Sequence, residues 1–282
     1  VIDDPETLSS PVNALNYKKS AVIGIAIGLC VAFAIVLLYA LAKKTVRTEK
    51  DMKTVISRPC LATLPEIKHD PIITRLQKDE LKYSENVYSL QNRLDFLMKK
   101  NSQKVLLVTS TVPAEGKTTL SLNLAIAMAR RGMKVLLIDG DMQMNLTLSY
   151  FDEEAALGFN ESGINLYTAI KHQKELTPYI RHTAYEGLDL IPSSILMSGI
   201  EVDLFTMWQR EFILKQGLAK IRESGEYDYI LIDAPPTLGC WVMNIMCASD
   251  YLIVPVEASP WGLFGLANMF EFYEQVKQIA PK

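Results

Sequence analysis

Cysteine is scarce in this chain. Its four residues, Cys30, Cys60, Cys240 and Cys247, form no C-x-x-C pair. That argues against a disulfide framework or a zinc site, and the part of the chain outside its long apolar run reads as a reduced, cytosolic domain. Histidine is scarcer still: His69, His172 and His182 lie among polar residues and read as solvated surface side chains. Basic charge has no surplus, with 29 Lys and Arg against 32 Asp and Glu, a net charge of -3. A dedicated nucleic-acid binder is therefore not expected, and nucleic acid is not counted among the partners. Internal repeats and low-complexity tracts are absent. Residues 145–147 and 160–162 match a glycosylation sequon, which only a secreted segment would use.

Charge is missing altogether from residues 20–42, "SAVIGIAIGLCVAFAIVLLYALA". Lys18 and Lys19 flank one side, Lys43, Lys44 and Arg47 the other. A helix of this length rises far enough to cross a bilayer, so one transmembrane helix is expected. No small-residue cleavage site follows, which argues against a signal peptide. Residues 43–100 are polar and punctuated by Pro59, Pro65 and Pro71. Within them Val87, Leu90, Leu94 and Leu97 recur at helical spacing, closing on Lys99 and Lys100 as a helix C-terminus prefers.

From Lys104 the pattern changes. "KVLLVT", "KVLLID", "GLDLIP", "YDYILID" and "DYLIVPV" read as strands, with helices expected over residues 118–131, 200–223 and 263–279. The strands are continuously apolar rather than alternating, so both faces are covered. The expected fold is α/β, a doubly wound, mostly parallel sheet preceded by one transmembrane helix.

Between the first strand and its helix runs "TSTVPAEGKTTLSLNLA", residues 109–125. The full phosphate-binding pattern is G-x-x-x-x-G-K-[ST]; Thr111 replaces the first glycine and the rest is present. Backbone N–H groups of Pro113-Ala114-Glu115-Gly116-Lys117-Thr118-Thr119 (proline itself donating none) are positioned to cradle phosphate at a helix N-terminus. Lys117 would neutralise the β- and γ-phosphates, and the Thr118 hydroxyl would hold Mg²⁺. Two other strands end in acid: "VLLIDGD" in Asp139 and Asp141, "YILIDAPP" in Asp233. In doubly wound sheets ligands sit at the carboxyl ends of strands, where these carboxylates arrive. Lys117, Asp139, Asp141 and Asp233 are the expected catalytic residues, and Thr118, Asp139 and Asp233 the metal ligands. Of the carboxylates, one would reach Mg²⁺ through water and another orient the attacking water or hydroxyl. ATP and Mg²⁺ are the expected cofactors.

Taken together, "PAEGKTT", "LLIDGD" and "ILIDAPP" resemble the deviant P-loop ATPase class that holds ParA, MinD and the bacterial tyrosine autokinases. ParA and MinD loops carry a signature lysine where this chain has Val112; the autokinases of polysaccharide synthesis also lack it. "VRTEKDMKTVISRPCLATLPEI" resembles the juxtamembrane region of Wzz-type chain-length regulators fused to such kinases. The resemblance implies a membrane-anchored autokinase that regulates exopolysaccharide or capsule synthesis, with self-association and contacts to polysaccharide export or polymerisation proteins. It also implies residues 1–19 outside, 20–42 across the cytoplasmic membrane, and 43–100 and 101–282 in the cytosol.

Departures open two alternatives. The kinases carry E-x-x-R-x-x-R before the loop strand; here Glu85 is followed by Tyr88 and Gln91, so a bidentate ion pair between subunits is not expected. The tyrosine cluster of those kinases is not seen up to Lys282, about where either family would continue. "DGDMQMNLTLSYF" lies nearer to the ParA form. One alternative is thus a ParA/MinD-like partitioning or positioning ATPase, the other a nucleotide-binding membrane scaffold without turnover.

Overall fold

The computed structural model describes residues 17–42, 59–65, 81–113 and 115–280. They belong to two units, split between Thr45 and Val46. The first holds helix α1, Tyr17–Ala42. It is the one helix among the described residues long and apolar enough to cross a membrane. Its apolar side chains from Val22 to Tyr39 are exposed, as a lipid-facing helix requires and a core helix does not.

The second unit is built on a six-stranded sheet. Its strands are β1 (Val105–Val108), β2 (Val135–Asp139), β3 (Arg181–His182), β4 (Leu188–Ile191), β5 (Tyr229–Asp233) and β6 (Tyr251–Ile253), in the order β3-β4-β2-β5-β1-β6. All pairings are parallel except β3 with β4. Every residue of β1, β2 and β5 is buried, which explains their unbroken apolar sequence. The pleat divides it between two cores. Val105, Leu107, Leu136 and Ile138 face one core, and Leu106, Val108, Val135 and Leu137 the other.

Helices α2 (Leu81–Lys100) and α3 (Lys117–Ala129) cover the second face through Leu90, Leu94, Met98, Leu122 and Ile126. After β2 come α4 (Asn145–Tyr150), α5 (Glu153–Glu161) and α6 (Leu166–Lys171). The expected helix over residues 200–223 is instead three: α7 (Ile200–Phe205), α8 (Ile213–Gly217) and α9 (Ala219–Ser224). Buried Asn244 explains the first break, because its side chain accepts from Leu214 N at 2.9 Å and donates to Arg210 O, replacing bonds a continuous helix would make. Gln209 between them takes a positive φ of 51°. Helix α10 (Cys240–Ala248) and α11 (Pro260–Ile279) complete the first face.

Helix α2 also bears on the missing arginines. Gln91 is fully buried, its amide 3.8 Å from Met133 Sδ, and Tyr88 lies under the Arg131 guanidinium, 5.6 Å away. These two side chains are engaged with the turn that follows the chain's own α3. Helices α4, α5, α6 and α10 and the edge strand β3 were not singled out by the sequence pattern.

Candidate nucleotide site

Parallel pairing sets the site's frame. Asp233 ends β5 and stands in register with Val108 of β1 and Asp139 of β2. The loop from β1 to α3 therefore opens directly above two adjacent strand-terminal aspartates. Gly116 caps α3 with φ 77°, a left-handed conformation that a glycine adopts without strain. Thr111 has no positive φ, so the position of the missing first glycine does not demand one. Its side chain is accommodated by a different glycine: a Cβ on Gly265 of α11 would collide with Thr111 Oγ1 and lie 2.9 Å from Val112 Cγ2. Val112 is thus packed against the chain's own α11.

Lys117, at the first turn of α3, is buried, and its Nζ donates to Ser110 Oγ at 3.2 Å. Burial lowers the pKa of its ammonium, while Asp233, Asp141 and Glu115 favour the charged form. Thr118 Oγ1 donates to Asp233 Oδ2 at 2.7 Å, and Ser121 Oγ donates to Asp233 Oδ1 at 3.2 Å. Ser121 was missed by motif reading, although three residues after Thr118 places it on the same helix face.

The aspartates differ in their surroundings. Asp139 is fully buried; Thr147 N and Oγ1 each donate to its Oδ2 at 2.7 Å, and Asp141 N donates to Oδ1 at 3.2 Å. Burial nevertheless lifts its pKa to about 6. Asp233 is pushed up to about 7 by burial and then by the charge of Asp139. Asp141 is slightly exposed; its Oδ1 accepts from Gln143 N at 3.0 Å. Thr147, which the sequence offered only as part of a sequon, is a buried anchor of the site. No local sequence signal marked it, because the contact depends on how α4 returns to the end of β2.

The rest of the loop contributes less. Glu115 Oε1 accepts from Glu257 N at 3.3 Å, and burial raises its pKa. Pro113 is exposed, and the Thr119 carbonyl oxygen accepts from Asn123 Nδ2 at 2.6 Å. Ala114 lies outside the described residues.

Could these residues accommodate a magnesium nucleotide? No group of three or more His, Cys, Asp or Glu among the described residues forms a ready-made metal cage. The donors instead are the Thr118 hydroxyl and the Asp233 carboxylate behind it. Such a set suits Mg²⁺, which keeps several waters and shares its shell with phosphates. Asp233, Asp141 and Glu115 share the one buried lysine, and burial raises the pKa of Asp233 and Glu115 as it does that of Asp139. Carboxylates outnumber the single ammonium here, and a divalent cation would balance the excess negative charge.

A family model described as an AAA domain matches residues 103–282. The sporulation initiation inhibitor protein Soj of Bacillus subtilis is 33% identical over 177 residues, 62% of this chain and 66% of that protein. The chromosome partitioning protein ParA of Caulobacter vibrioides is 33% identical over 180 residues, 64% of this chain and 66% of its own. The chain thus spans slightly under two thirds of these relatives' length. Among solved structures, cobyrinic acid a,c-diamide synthase from Mycobacterium smegmatis with bound ADP and magnesium aligns with a TM-score of 0.57 and 28% identity, covering 63% of this chain and 69% of that one. These relatives favour the ParA/MinD alternative over the tyrosine-autokinase reading. By its sheet order, its loop and this match, the chain belongs to the AAA domain family, as a ParA/MinD-like P-loop ATPase.

Proposed function

We propose that this chain is a membrane-tethered ATPase that binds ATP·Mg²⁺ and uses its hydrolysis to position cargo, in the manner of ParA and MinD. The observation that carries the proposal is the Thr118–Asp233 hydrogen bond of 2.7 Å beside buried Lys117. It joins the phosphate loop to a strand-terminal carboxylate, the pairing that a magnesium nucleotide would need. The cobyrinic acid synthase structure with ADP and magnesium supports the choice of cofactors.

Bound with ATP, Mg²⁺ would neutralise charge on the phosphates. The chain's own groups do the rest. Lys117 places an ammonium against the phosphates, in a site whose burial strengthens the attraction. Thr118 and Asp233 would hold the metal, the hydroxyl directly and the carboxylate from behind it. Asp139, tied by three hydrogen bonds, holds the segment that presents Asp141. Asp141, whose Oδ2 is not engaged by that segment's hydrogen bonds, orients the attacking water. Water is the acceptor in this reading.

The lipid bilayer is the surface on which positioning takes place, and α1 is the tether. Removing residues 1–42 should release a soluble protein that still binds ATP. If the full chain fractionates as soluble without detergent, the tether is refuted.

One observation favours the autokinase as a second reading. Val112 stands where ParA and MinD keep their signature lysine and packs against Gly265, so the position cannot reach into a neighbouring subunit. Incubating the purified chain with labelled ATP separates the two: free phosphate supports the ATPase, and label on protein tyrosine supports the kinase.

A further inference from the structure

Helix α10 starts without a cap of its own. It begins after Gly239, which has no side chain to accept its first N–H groups. The carboxylate of Glu201, on α7, takes that place: Cys240 N donates to Glu201 Oε2 at 2.9 Å, and Trp241 N to Oε1 at 3.1 Å. The fit is close. A Cβ on Gly239 would overlap Glu201 Oε1 and lie 2.8 Å from its Cδ. A carboxylate bridging two N–H groups at a helix start gains from both charged hydrogen bonds and the helix dipole.

Trp241 carries this cap to the aspartates. Its indole is buried and its Nε1 donates to Gly140 O at 2.9 Å. Gly140 sits between Asp139 and Asp141, and its own N–H donates to Asp233 O at 2.8 Å. It has no room for a side chain, since a Cβ would lie 2.9 Å from Asp233 O and 3.5 Å from Trp241 Nε1. Gly140 is therefore gripped from two sides. The loop from β5 to α10 is likewise fixed at both ends, by Thr118 and Ser121 on Asp233 and by Glu201 on Cys240 and Trp241.

We propose that Glu201 is a positioning residue for hydrolysis: by capping α10 it sets Trp241, and through Trp241 the Gly140 backbone that aims Asp141. The proposal rests on the ATPase reading above for its effect on turnover, but not for its effect on structure. Glu201 touches none of the phosphate-loop groups in these contacts, so the effect falls on turnover rather than nucleotide affinity.

The test uses the purified full chain in detergent, with Glu201→Ala, Glu201→Gln and Gly239→Ala. Hydrogen exchange is followed at residues 139–144 and 240–248, with β1 as the internal reference. In Glu201→Ala and in Gly239→Ala, whose Cβ expels the carboxylate, exchange at both segments should quicken about tenfold, equivalent to about 1.4 kcal/mol of local protection. Turnover should fall by about the same factor while the Kd for Mg·ATP stays within about twofold. Glu201→Gln, which keeps one acceptor oxygen, should fall between. Formate, a free carboxylate of the right size for the vacated cap, should restore turnover to Glu201→Ala. Unchanged exchange at residues 139–144, or a loss of affinity equal to the loss of turnover, overturns the proposal. A wild-type chain without turnover refutes the ATPase reading instead, and the exchange data still decide the role of Glu201.

Discussion

Replacing Lys117 with methionine will reduce ATP affinity or turnover by at least about tenfold, the equivalent of about 1.4 kcal/mol. The substitution keeps most of the volume and removes the charge. Lys117 is the buried cation that faces Asp233, Asp141 and Glu115 at the mouth of α3. Its hydrogen bond to Ser110 Oγ is not essential to the loop, because Ser110 Oγ also donates to Val112 O at 2.9 Å. The folded state should therefore survive. Calorimetric titration with Mg·ATP, alongside thermal melting, measures both quantities. A folded variant that binds and hydrolyses ATP like the wild type would refute the assignment of the phosphate loop.

Asp233→Asn should act in opposite directions on function and stability. Turnover should drop about a hundredfold, a loss typical of removing one strong electrostatic group from a site. Metal-free stability at high pH should rise. The sign follows from the pKa. Asp233 is lifted from 3.8 to about 7 in the folded chain, so the native state holds a proton that the unfolded state releases. Its contribution to stability is present below about pH 4 and is lost as pH climbs through 7. Asparagine imitates the protonated form at every pH: its carbonyl oxygen accepts from one of the Thr118 and Ser121 hydroxyls, and its amide donates to the other, which rotates to accept. The variant's advantage over wild type should accordingly be absent near pH 4 and grow up to about pH 8, when unfolding is followed in chelator. Saturating Mg·ATP should abolish it, because the wild-type carboxylate then gains a cation. An advantage that does not change with pH would place the proton elsewhere.

Much of this architecture was legible in the chain. Five of the six strands coincide with the expected runs, and in β1, β2 and β5 the run is unbroken because a parallel strand buried on both sides has no polar face to interrupt it. The phosphate loop was recognised from Gly116, Lys117 and Thr118 despite Thr111, since the conformations that matter are local: a left-handed residue followed by a helix start. The expected helix across residues 200–223 failed for a non-local reason. Its interruption depends on Asn244, thirty residues from Leu214 in sequence, which competes for the backbone. Strand β3, only two residues long, offers no periodicity to detect.

The sequence alone determined the class of chemistry: a loop for phosphates, a hydroxyl for a metal, and acids at strand ends, all encoded by short segments with fixed local geometry. Also determined there was the apolar helix near the N-terminus, because length and lack of charge are properties of composition. Tertiary structure decided how the acids divide their work. Parallel register set Asp139 beside Asp233, and the return of α4 gave Asp139 to Thr147 while leaving Asp141 less enclosed. It also decided that Val112 packs inward against Gly265 and that Glu201 caps a helix thirty-nine residues away. Burial, charge coupling and capping depend on which segments meet in space, and a single sequence fixes those meetings only through the fold as a whole.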